Sequence, residues 1–185
     1  MKLAYIIFNG ITWLDFFGIY DPVLRLRTMK FISDLSWDIC SLSSNAADSF
    51  GLQVIPNKIR NNLAHYDGII IPGGIGTRKL MRNNDFLNWI KTAEPVKYKI
   101  SVCTGSLILG AAGFLKDKKA TTHFEAYEIL KPFCRAVIEE KIVVDNNTIT
   151  AGAVTSSIDL GLCLCRTWAG YKAENEIRKR MDYYG

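Results

Sequence analysis

The sequence predicts an open α/β sandwich, in which a mostly parallel central sheet lies between layers of helices. Short apolar segments rich in β-branched residues alternate along the chain with segments of helical spacing, a pattern typical of this fold class. Three of the apolar segments end in turns, at Asn9-Gly10, at Pro72-Gly73-Gly74 and at Cys103-Thr104. The 185 residues, 49% apolar and 22% charged, suit one sizeable core. We therefore expect a single domain over residues 1–185.

The first half of the chain contains the predicted strands with the strongest apolar patterning. They are residues 3–8, 36–42, 50–55 as a short hairpin arm after a polar loop over 43–49, and 66–71 before the Pro-Gly-Gly turn. Between the first two strands, Thr12 is placed to cap a helix that extends to about Arg27. Pro22 is expected to kink or restart this helix.

The second half continues the alternation of helices and strands. Residues 79–91 have helical spacing with a break near Asn83, and an apolar strand around Ile100 ends at Cys103. The predicted elements that follow are a helix to about Ala112, a short extended piece over 120–124, a helix over 125–131, a hairpin over 141–150 turning at Asn146-Asn147, an apolar helix to Trp168, and a terminal basic helix.

Cys103 lies where an apolar run breaks into a helix of small residues. A strand, a sharp turn and a helix in that order place its sulfur at the positive end of the helix, which favours the thiolate. A free cysteine in a buried junction also serves as a small apolar residue, and this stretch alone does not separate the two interpretations.

Neighbouring segments favour the catalytic interpretation. In an open α/β sheet, ligands gather beyond the carboxyl ends of the strands, so Asp15, the Pro72-Gly73-Gly74 turn and Cys103 are expected to converge. Asp15 lies among bulky apolar neighbours, an unusual place for a solvated charge. A carboxyl beside a thiol favours a pair that shares one proton, and we expect a thiolate with a protonated Asp15.

Composition argues against several other classes of protein. Five cysteines without CxxC spacing and two histidines predict neither a disulfide framework nor a metal site. The net charge of +5 is spread over separated basic groups, which are typical of solvated surface and not of a nucleic-acid interface. No signal-peptide pattern is present, and no uncharged stretch approaches the ~18 residues of a membrane span. We expect a cytoplasmic protein that binds no nucleic acid and no membrane.

Several motifs together resemble the ThiJ/PfpI superfamily, which has the class I glutamine amidotransferase-like (flavodoxin-like) fold, and within it most resemble the isonitrile hydratases. They span roughly residues 3–165 and consist of Leu14-Asp15, Ile71-Pro72-Gly73-Gly74, the stretch from Ser101 to Leu107 with Leu109 to Gly113, Ala120 to His123, Thr150-Ala151-Gly152, and Ile158 to Gly161. The block around Cys103 is the most specific of these.

The resemblance implies a role for each matching residue. It implies a nucleophile at Cys103 in a nucleophile elbow, an acid/base carboxyl at Asp15 and a supporting role for Thr104. It also implies that backbone N–H groups near Gly73, Gly74 and Thr104 stabilise an anion, and that the protein is a homodimer.

We expect an apolar substrate pocket formed by Trp13, Phe16, Phe17 and Ile75. His123 either orients the thiol or forms a hydrogen bond within its own turn, and the second role is favoured.

The implied reaction is hydration of an isonitrile to an N-substituted formamide, without a metal or organic cofactor. Where isonitrile hydratases usually have Leu-Asp-x-x-Gly-Pro, this chain has Ile19 after Gly18, a departure that concerns the substrate more than the nucleophile. One alternative is a glyoxalase or deglycase acting on 2-oxoaldehydes. Another is a non-enzymatic ligand or redox sensor, because similar domains occur in AraC-type regulators. Thr104 replaces the His that follows the cysteine in peptidase members, and little chain follows Trp168, so neither a peptidase nor a direct DNA-binding role is expected.

Overall fold

The computed structural model describes residues 1–184 and contains a central sheet of the predicted type. The strands are β1 (Lys2–Ile6), β2 (Ser36–Ser41), β3 (Ala46–Ala47), β4 (Gln53–Val54), β5 (Lys58–Ile59), β6 (Gly68–Ile71), β7 (Tyr98–Val102), β8 (Lys119–Ala120), β9 (Ala136–Val137), β10 (Ile142–Asp145) and β11 (Thr148–Ala151). Seven of them form the main sheet in the order β10-β11-β7-β6-β1-β2-β5. All neighbours in it are parallel except the β10–β11 hairpin.

Helices cover the sheet. They are α1 (Trp13–Thr28), α2 (Thr77–Leu80), α3 (Asn84–Lys91), α4 (Gly105–Ala111), α5 (Tyr127–Leu130) and α6 (Ser156–Arg180). The long α6 contains a non-helical residue at Gly170, with φ 82°, which separates its apolar first part from its basic end. Within residues 1–184, no helix combines the length and apolar character needed to cross a membrane.

The central strands are buried on both faces, which explains their nearly unbroken apolar sequences. Every residue of β6 and of β11 is buried, and β1 is buried from Leu3 onward. The carboxyl ends of β1, β6 and β7 lie side by side in the sheet. The turns that follow these three strands are therefore brought to one edge of the sheet.

Helices α1 and α6 pack closely because glycines face each other's helix. A Cβ added at Gly18 would lie 2.0 Å from Ser157 Oγ, and one added at Gly161 would lie 2.4 Å from Pro22 Cγ. Ser157 also donates a hydrogen bond to the Leu14 carbonyl at 3.1 Å. This packing fixes the amino-terminal end of α1, where Asp15 is located.

The predicted fold class is confirmed, and several local predictions need correction. Helix α1 continues through Pro22 without restarting, and Thr12 occupies the cap position without a side-chain cap hydrogen bond. The predicted loop over 43–49 contains β3, which pairs with β4 to form the hairpin. The predicted helix over 125–131 is a series of single turns, the last of which is a 3₁₀ turn from Lys131 to Phe133 that contains Pro132. Strands β5, β8 and β9 are too short to give a period-two signal in the sequence.

The contact between α1 and α6 predicts a cost for enlarging Gly18. Because the new methyl group has no space beside Ser157, Gly18→Ala is expected to lower the free energy of unfolding by about 1 to 3 kcal/mol. Urea unfolding followed by circular dichroism measures this change, with exposed Asn175→Ala on α6 as the control. Equal stability of the two variants would contradict the tight helix contact.

Candidate functional site

Cys103 occupies a strained turn between β7 and α4. Its φ of 53° lies in the left-handed region, which residues other than glycine rarely adopt. The Cys103 N–H donates to the Ala151 carbonyl at 2.9 Å, and its own carbonyl accepts from Thr122 Oγ1 at 3.0 Å and Ser106 Oγ at 3.2 Å. These bonds hold the cysteine in the geometry of a nucleophile elbow.

Gly105 allows the helix after the elbow to begin close against β6. A Cβ at this position would lie 2.1 Å from the Ile71 carbonyl oxygen, so any larger residue would displace α4 from the strand. The small residue two positions after the cysteine is therefore a requirement of close backbone packing.

Asp15 meets the elbow at Gly73. The Asp15 side chain is fully buried, and its Oδ2 accepts from the Gly73 N–H at 2.9 Å. A Cβ at Gly73 would lie 2.7 Å from each of Asp15 Oδ2, Cys103 Cβ and Thr104 N. The absence of a side chain at Gly73 thus lets the three segments touch. Asp15 Oδ1 is also buried and has no hydrogen bond of normal geometry within the described chain.

Burial raises the pKa of the Asp15 carboxyl to about 7, although the Gly73 N–H and the Cys103 thiol favour the charged form. Burial, and then the charge of Asp15, raise the pKa of the Cys103 thiol to about 12. The N–H and hydroxyl of Thr104 act in the opposite direction with a smaller effect. Burial of the sulfur therefore opposes the expected thiolate, because the loss of solvent outweighs the short helix behind the turn, whereas the raised pKa of Asp15 agrees with the expected protonated carboxyl.

Thr104 supports the turn that follows β6. Its Oγ1 accepts from the Gly74 N–H at 3.1 Å and lies 3.2 Å from the Gly74 carbonyl and 2.9 Å from Thr77 Oγ1. Gly74 itself has φ 129°, and a Cβ there would lie 2.2 Å from the Gly10 carbonyl. The hydroxyl of Thr104 thus binds the glycine turn to the elbow.

An open cavity of about 200 Å³ lies over Cys103. Its lining combines polar and apolar surface, and the lining residues are Thr12, Gly74, Ile75, Arg78, Cys103, Thr104, His123, Glu125 and Val154. No group of three or more His, Cys, Asp or Glu side chains within residues 1–184 is arranged to hold a metal ion.

Two of the N–H groups that were expected to stabilise an anion, those of Gly73 and Gly74, are not free to do so. The Gly73 N–H is bonded to Asp15 and the Gly74 N–H to Thr104, so both already have an acceptor. Within residues 1–184, the N–H of Ile75 donates to no protein acceptor, and that of Thr104 is directed at the Cys103 thiol. Ile75 and Thr104 are the better placed donors, while Gly73 and Gly74 contribute close packing.

The predicted aromatic pocket is wrong. Phe16 is 1% exposed and packs between Tyr5 and Tyr20, with ring centroids 5.5 and 5.1 Å away. Trp13 is also buried, and its Nε1 donates to the Leu52 carbonyl at 3.0 Å. Phe17 is partly exposed but does not line the cavity, so Ile75 is the one member of the predicted set that does.

His123 lines the cavity and is also held by its own turn. Its Nδ1 accepts from the Glu125 N–H at 3.4 Å and lies 3.7 Å from Glu125 Oε2. Its ring centroid is 4.4 Å from that of Phe124. The turn role that the sequence favoured matches these contacts, and the ring also borders the space over the sulfur.

The sequence did not single out Arg78, Glu125, Thr12 or Val154 as site residues, although all four line the cavity. A signal existed for Arg78, which follows the Pro72-Gly73-Gly74 turn by one helical turn. Residues directly after such a turn lie at the same edge of the sheet as the turn itself.

Comparisons with known proteins agree with the fold. A sequence profile described as the DJ-1/PfpI family matches residues 2–167. The chain is 32% identical over 185 residues to an isonitrile hydratase of Pseudomonas putida, which covers 99% of this chain and 78% of that protein. A crystal structure of a ThiJ/PfpI family protein from Pseudomonas syringae superposes with a TM-score of 0.89 at 26% identity, covering 100% of this chain and 75% of that one.

A regulatory protein is also similar over the whole domain. The HTH-type transcriptional regulator GbdR of Pseudomonas aeruginosa is 22% identical over 98% of this chain, which spans 50% of the regulator's length. The domain type therefore occurs both in an enzyme and within a longer regulator.

The raised pKa of Asp15 predicts a pH-dependent gain in stability on its neutralisation. Between the ordinary pKa of 3.8 and about 7, the folded protein binds a proton that the unfolded chain has lost, so stability falls as the pH rises through this range. Asp15→Asn removes this loss and is expected to raise the free energy of unfolding at pH 8 by about 2 to 4 kcal/mol, and near pH 4 by much less. Urea unfolding at both pH values measures the difference. Exposed Asp117→Asn is the control, and a gain of equal size at both pH values would contradict a buried, ionising Asp15.

Proposed function

The chain belongs to the DJ-1/PfpI family, and on that premise we propose that it is a cysteine-dependent hydratase of a small molecule, with an isonitrile as its substrate. The observation that carries the proposal is the pairing of the Cys103 thiol with a buried carboxyl. Within residues 1–184, Asp15 Oδ1 has no hydrogen bond of normal geometry, and the pKa of Asp15 is about 7. A base with that pKa can take and return a proton at neutral pH.

In the first step, the Cys103 sulfur bonds to the terminal carbon of R–N≡C. The ionised Asp15 takes the thiol proton as the S–C bond forms and returns it to the same carbon. The product is a thioimidate, R–N=CH–S–Cys, with all atoms of the thiol and the isonitrile retained. A thiol with a pKa of about 12 needs such a base, because very little thiolate exists at neutral pH.

In the second step, a water molecule enters from the open side of the cavity. Asp15 takes one proton from the water as the water oxygen bonds to the thioimidate carbon, and passes that proton to the nitrogen to give R–NH–CH(OH)–S–Cys. The C–S bond then breaks, the hydroxyl proton returns to the sulfur, and R–NH–CHO leaves. The sum is the addition of one water to the isonitrile.

The N–H groups of Ile75 and Thr104 are placed to stabilise negative charge near the sulfur. Backbone donors in a buried turn need no reorganisation during the reaction, so they stabilise developing charge better than water does. Negative charge develops on the sulfur, and on the oxygen as the C–S bond breaks. Such donors are needed at these two atoms.

A second candidate reaction is the conversion of a 2-oxoaldehyde. The polar side chains of Arg78, His123 and Glu125, which line the cavity, favour it. Thiol addition to the aldehyde carbon would use the same Cys103 and Asp15.

The proposal predicts that purified protein converts cyclohexyl isocyanide to N-cyclohexylformamide, detected by mass spectrometry. Cys103→Ala is expected to abolish turnover, and Asp15→Asn to lower kcat/KM at least about 100-fold, because each removes a group that moves the reacting proton. Cys134→Ala, a half-buried cysteine outside the site, is the matched control and should retain activity. Isonitrile turnover by Cys103→Ala at the wild-type rate would contradict the mechanism. Turnover of methylglyoxal alone, without isonitrile turnover, would favour the second candidate reaction.

We also propose that the protein is a homodimer. Leu14 and Phe17 on α1 are 49% and 44% exposed, and Phe50 and Leu52 in the β3–β4 hairpin are 96% and 54% exposed. The two segments are joined by the hydrogen bond from Trp13 to the Leu52 carbonyl. An apolar patch of this kind is typical of a protein interface.

Light scattering is expected to give twice the 20.8 kDa mass of the chain. Phe17→Lys places a charge in the patch and should shift the protein toward monomer, whereas the exposed control Asn175→Lys should not. A wild-type protein that is monomeric at micromolar concentration would contradict this proposal.

A further inference from the structure

The cavity over Cys103 contains one positively charged group, Arg78, that the hydration mechanism does not use. Arg78 lines this cavity and is half-buried. Its Nη1 donates to Thr77 Oγ1 at 3.3 Å. Within residues 1–184, no carboxylate lies within ion-pair distance of its guanidinium.

The surroundings of Arg78 differ from those of the other arginines. Several of these form ion pairs, namely Arg25, Arg60, Arg135, Arg166 and Arg178. The rest are exposed on the surface, namely Arg27, Arg82 and Arg180. A guanidinium that is half-buried in a cavity and lacks an anionic partner in the described chain is a site prepared for an anion.

The hydroxyl cluster beside the elbow fixes the position of Arg78. Thr77 Oγ1, which accepts from Arg78, lies 2.8 Å from the Gly74 carbonyl and 2.9 Å from Thr104 Oγ1. The guanidinium is thus linked through two hydroxyls to the residue that follows Cys103. One of its five N–H donors is used in this link, and the planar fork of the remainder matches a carboxylate.

Two carboxyl groups of the site act against a bound anion, and neither neutralises Arg78. Glu125 borders the same cavity, but its side chain is 67% exposed and well hydrated, so its charge is screened. Asp15 is fully buried and does not line the cavity. Its carboxyl is partly protonated at neutral pH because its pKa is about 7. Arg78 therefore sets the charge preference near the reacting sulfur.

Resting on the proposed function, we propose that the substrate carries a carboxylate beside its isonitrile group, and that Arg78 binds this carboxylate. The substrate class is an isonitrile derived from an α-amino acid, R–CH(COO⁻)–N≡C. Addition of one water gives R–CH(COO⁻)–NH–CHO, an N-formyl amino acid, and the carboxylate is unchanged. A cavity of about 200 Å³ whose lining includes a guanidinium suits such a small, charged molecule better than a large apolar isonitrile.

The first test compares isocyanoacetate with its neutral ethyl ester as substrates. The wild type is expected to show a kcat/KM at least about 10-fold higher for the acid. Arg78→Ala should lose about 10- to 100-fold on the acid and little on the ester, as expected for a hydrogen-bonded charge pair. Arg78→Lys should recover part of the loss, because it keeps the charge but not the fork. Exposed Arg82→Ala is the matched control and should behave as the wild type.

The second test does not need turnover. Cys103 is alkylated with iodoacetate, an anion, or with iodoacetamide, its neutral counterpart, and the modified peptide is quantified by mass spectrometry. The ratio of the two rates, normalised to that of glutathione, should fall about 10-fold in Arg78→Ala and remain unchanged in Arg82→Ala.

The two tests separate the failure of this inference from failure of the proposed function. If the acid and the ester are hydrated equally, and Arg78→Ala changes neither preference nor alkylation ratio, the carboxylate site is refuted while isonitrile hydration stands. If no isonitrile reacts but the alkylation ratio falls in Arg78→Ala, the hydratase proposal fails and anion recognition by Arg78 stands.

Discussion

The site depends on the placement of one buried carboxyl against one glycine. Asp15 lies in the first turn of α1, and its side chain points into the protein interior. The only hydrogen bond of normal geometry that its carboxyl accepts in the described chain comes from the Gly73 N–H. A buried carboxyl with an unpaired oxygen is unfavourable in its charged form, which is why its pKa is near 7. The apolar face of the same helix offsets this cost, since Phe16, Ile19 and Val23 are buried almost completely.

The elbow and the glycine turn form one rigid unit around this carboxyl. The absence of a side chain at Gly73 leaves space for Asp15 and Cys103. The absence of one at Gly105 leaves space for the Ile71 carbonyl against the start of α4. Thr104 then joins the two turns through its hydroxyl. Because main-chain atoms and hydroxyls supply nearly all of these contacts, the geometry is set by the sheet edge and depends little on flexible side chains. A strained φ at Cys103 persists because its surroundings hold it from β11, from α4 and from Thr122.

The sequence predicted the features that depend on hydrophobic periodicity and on turn residues. It did not predict the features that depend on burial or on the direction in which a side chain points in the folded protein. The alternating apolar segments gave the parallel sheet, and the turns after them gave the convergence of Asp15, Gly73 and Cys103 on one edge. The effect of burial on the sulfur was not predicted, because no local pattern reveals burial, which raises the pKa of the thiol by more than the helix terminus lowers it. The pairing of Gly74 N–H with Thr104 was likewise hidden, because it joins residues thirty positions apart.

Helix geometry explains why the aromatic residues that were predicted to line the cavity do not line it. Successive residues on an α-helix point about 100° apart, so a residue adjacent to Asp15 in sequence cannot share its direction. Phe16 therefore packs toward Tyr5 of β1, and Trp13 packs toward the hairpin, while Thr12, three positions before Asp15, reaches the cavity. Helix α2 begins one residue before Arg78, and the Arg78 side chain lines the cavity. Trp13 and Phe16 serve the core, so the cavity is left with polar side chains together with Ile75 and Val154.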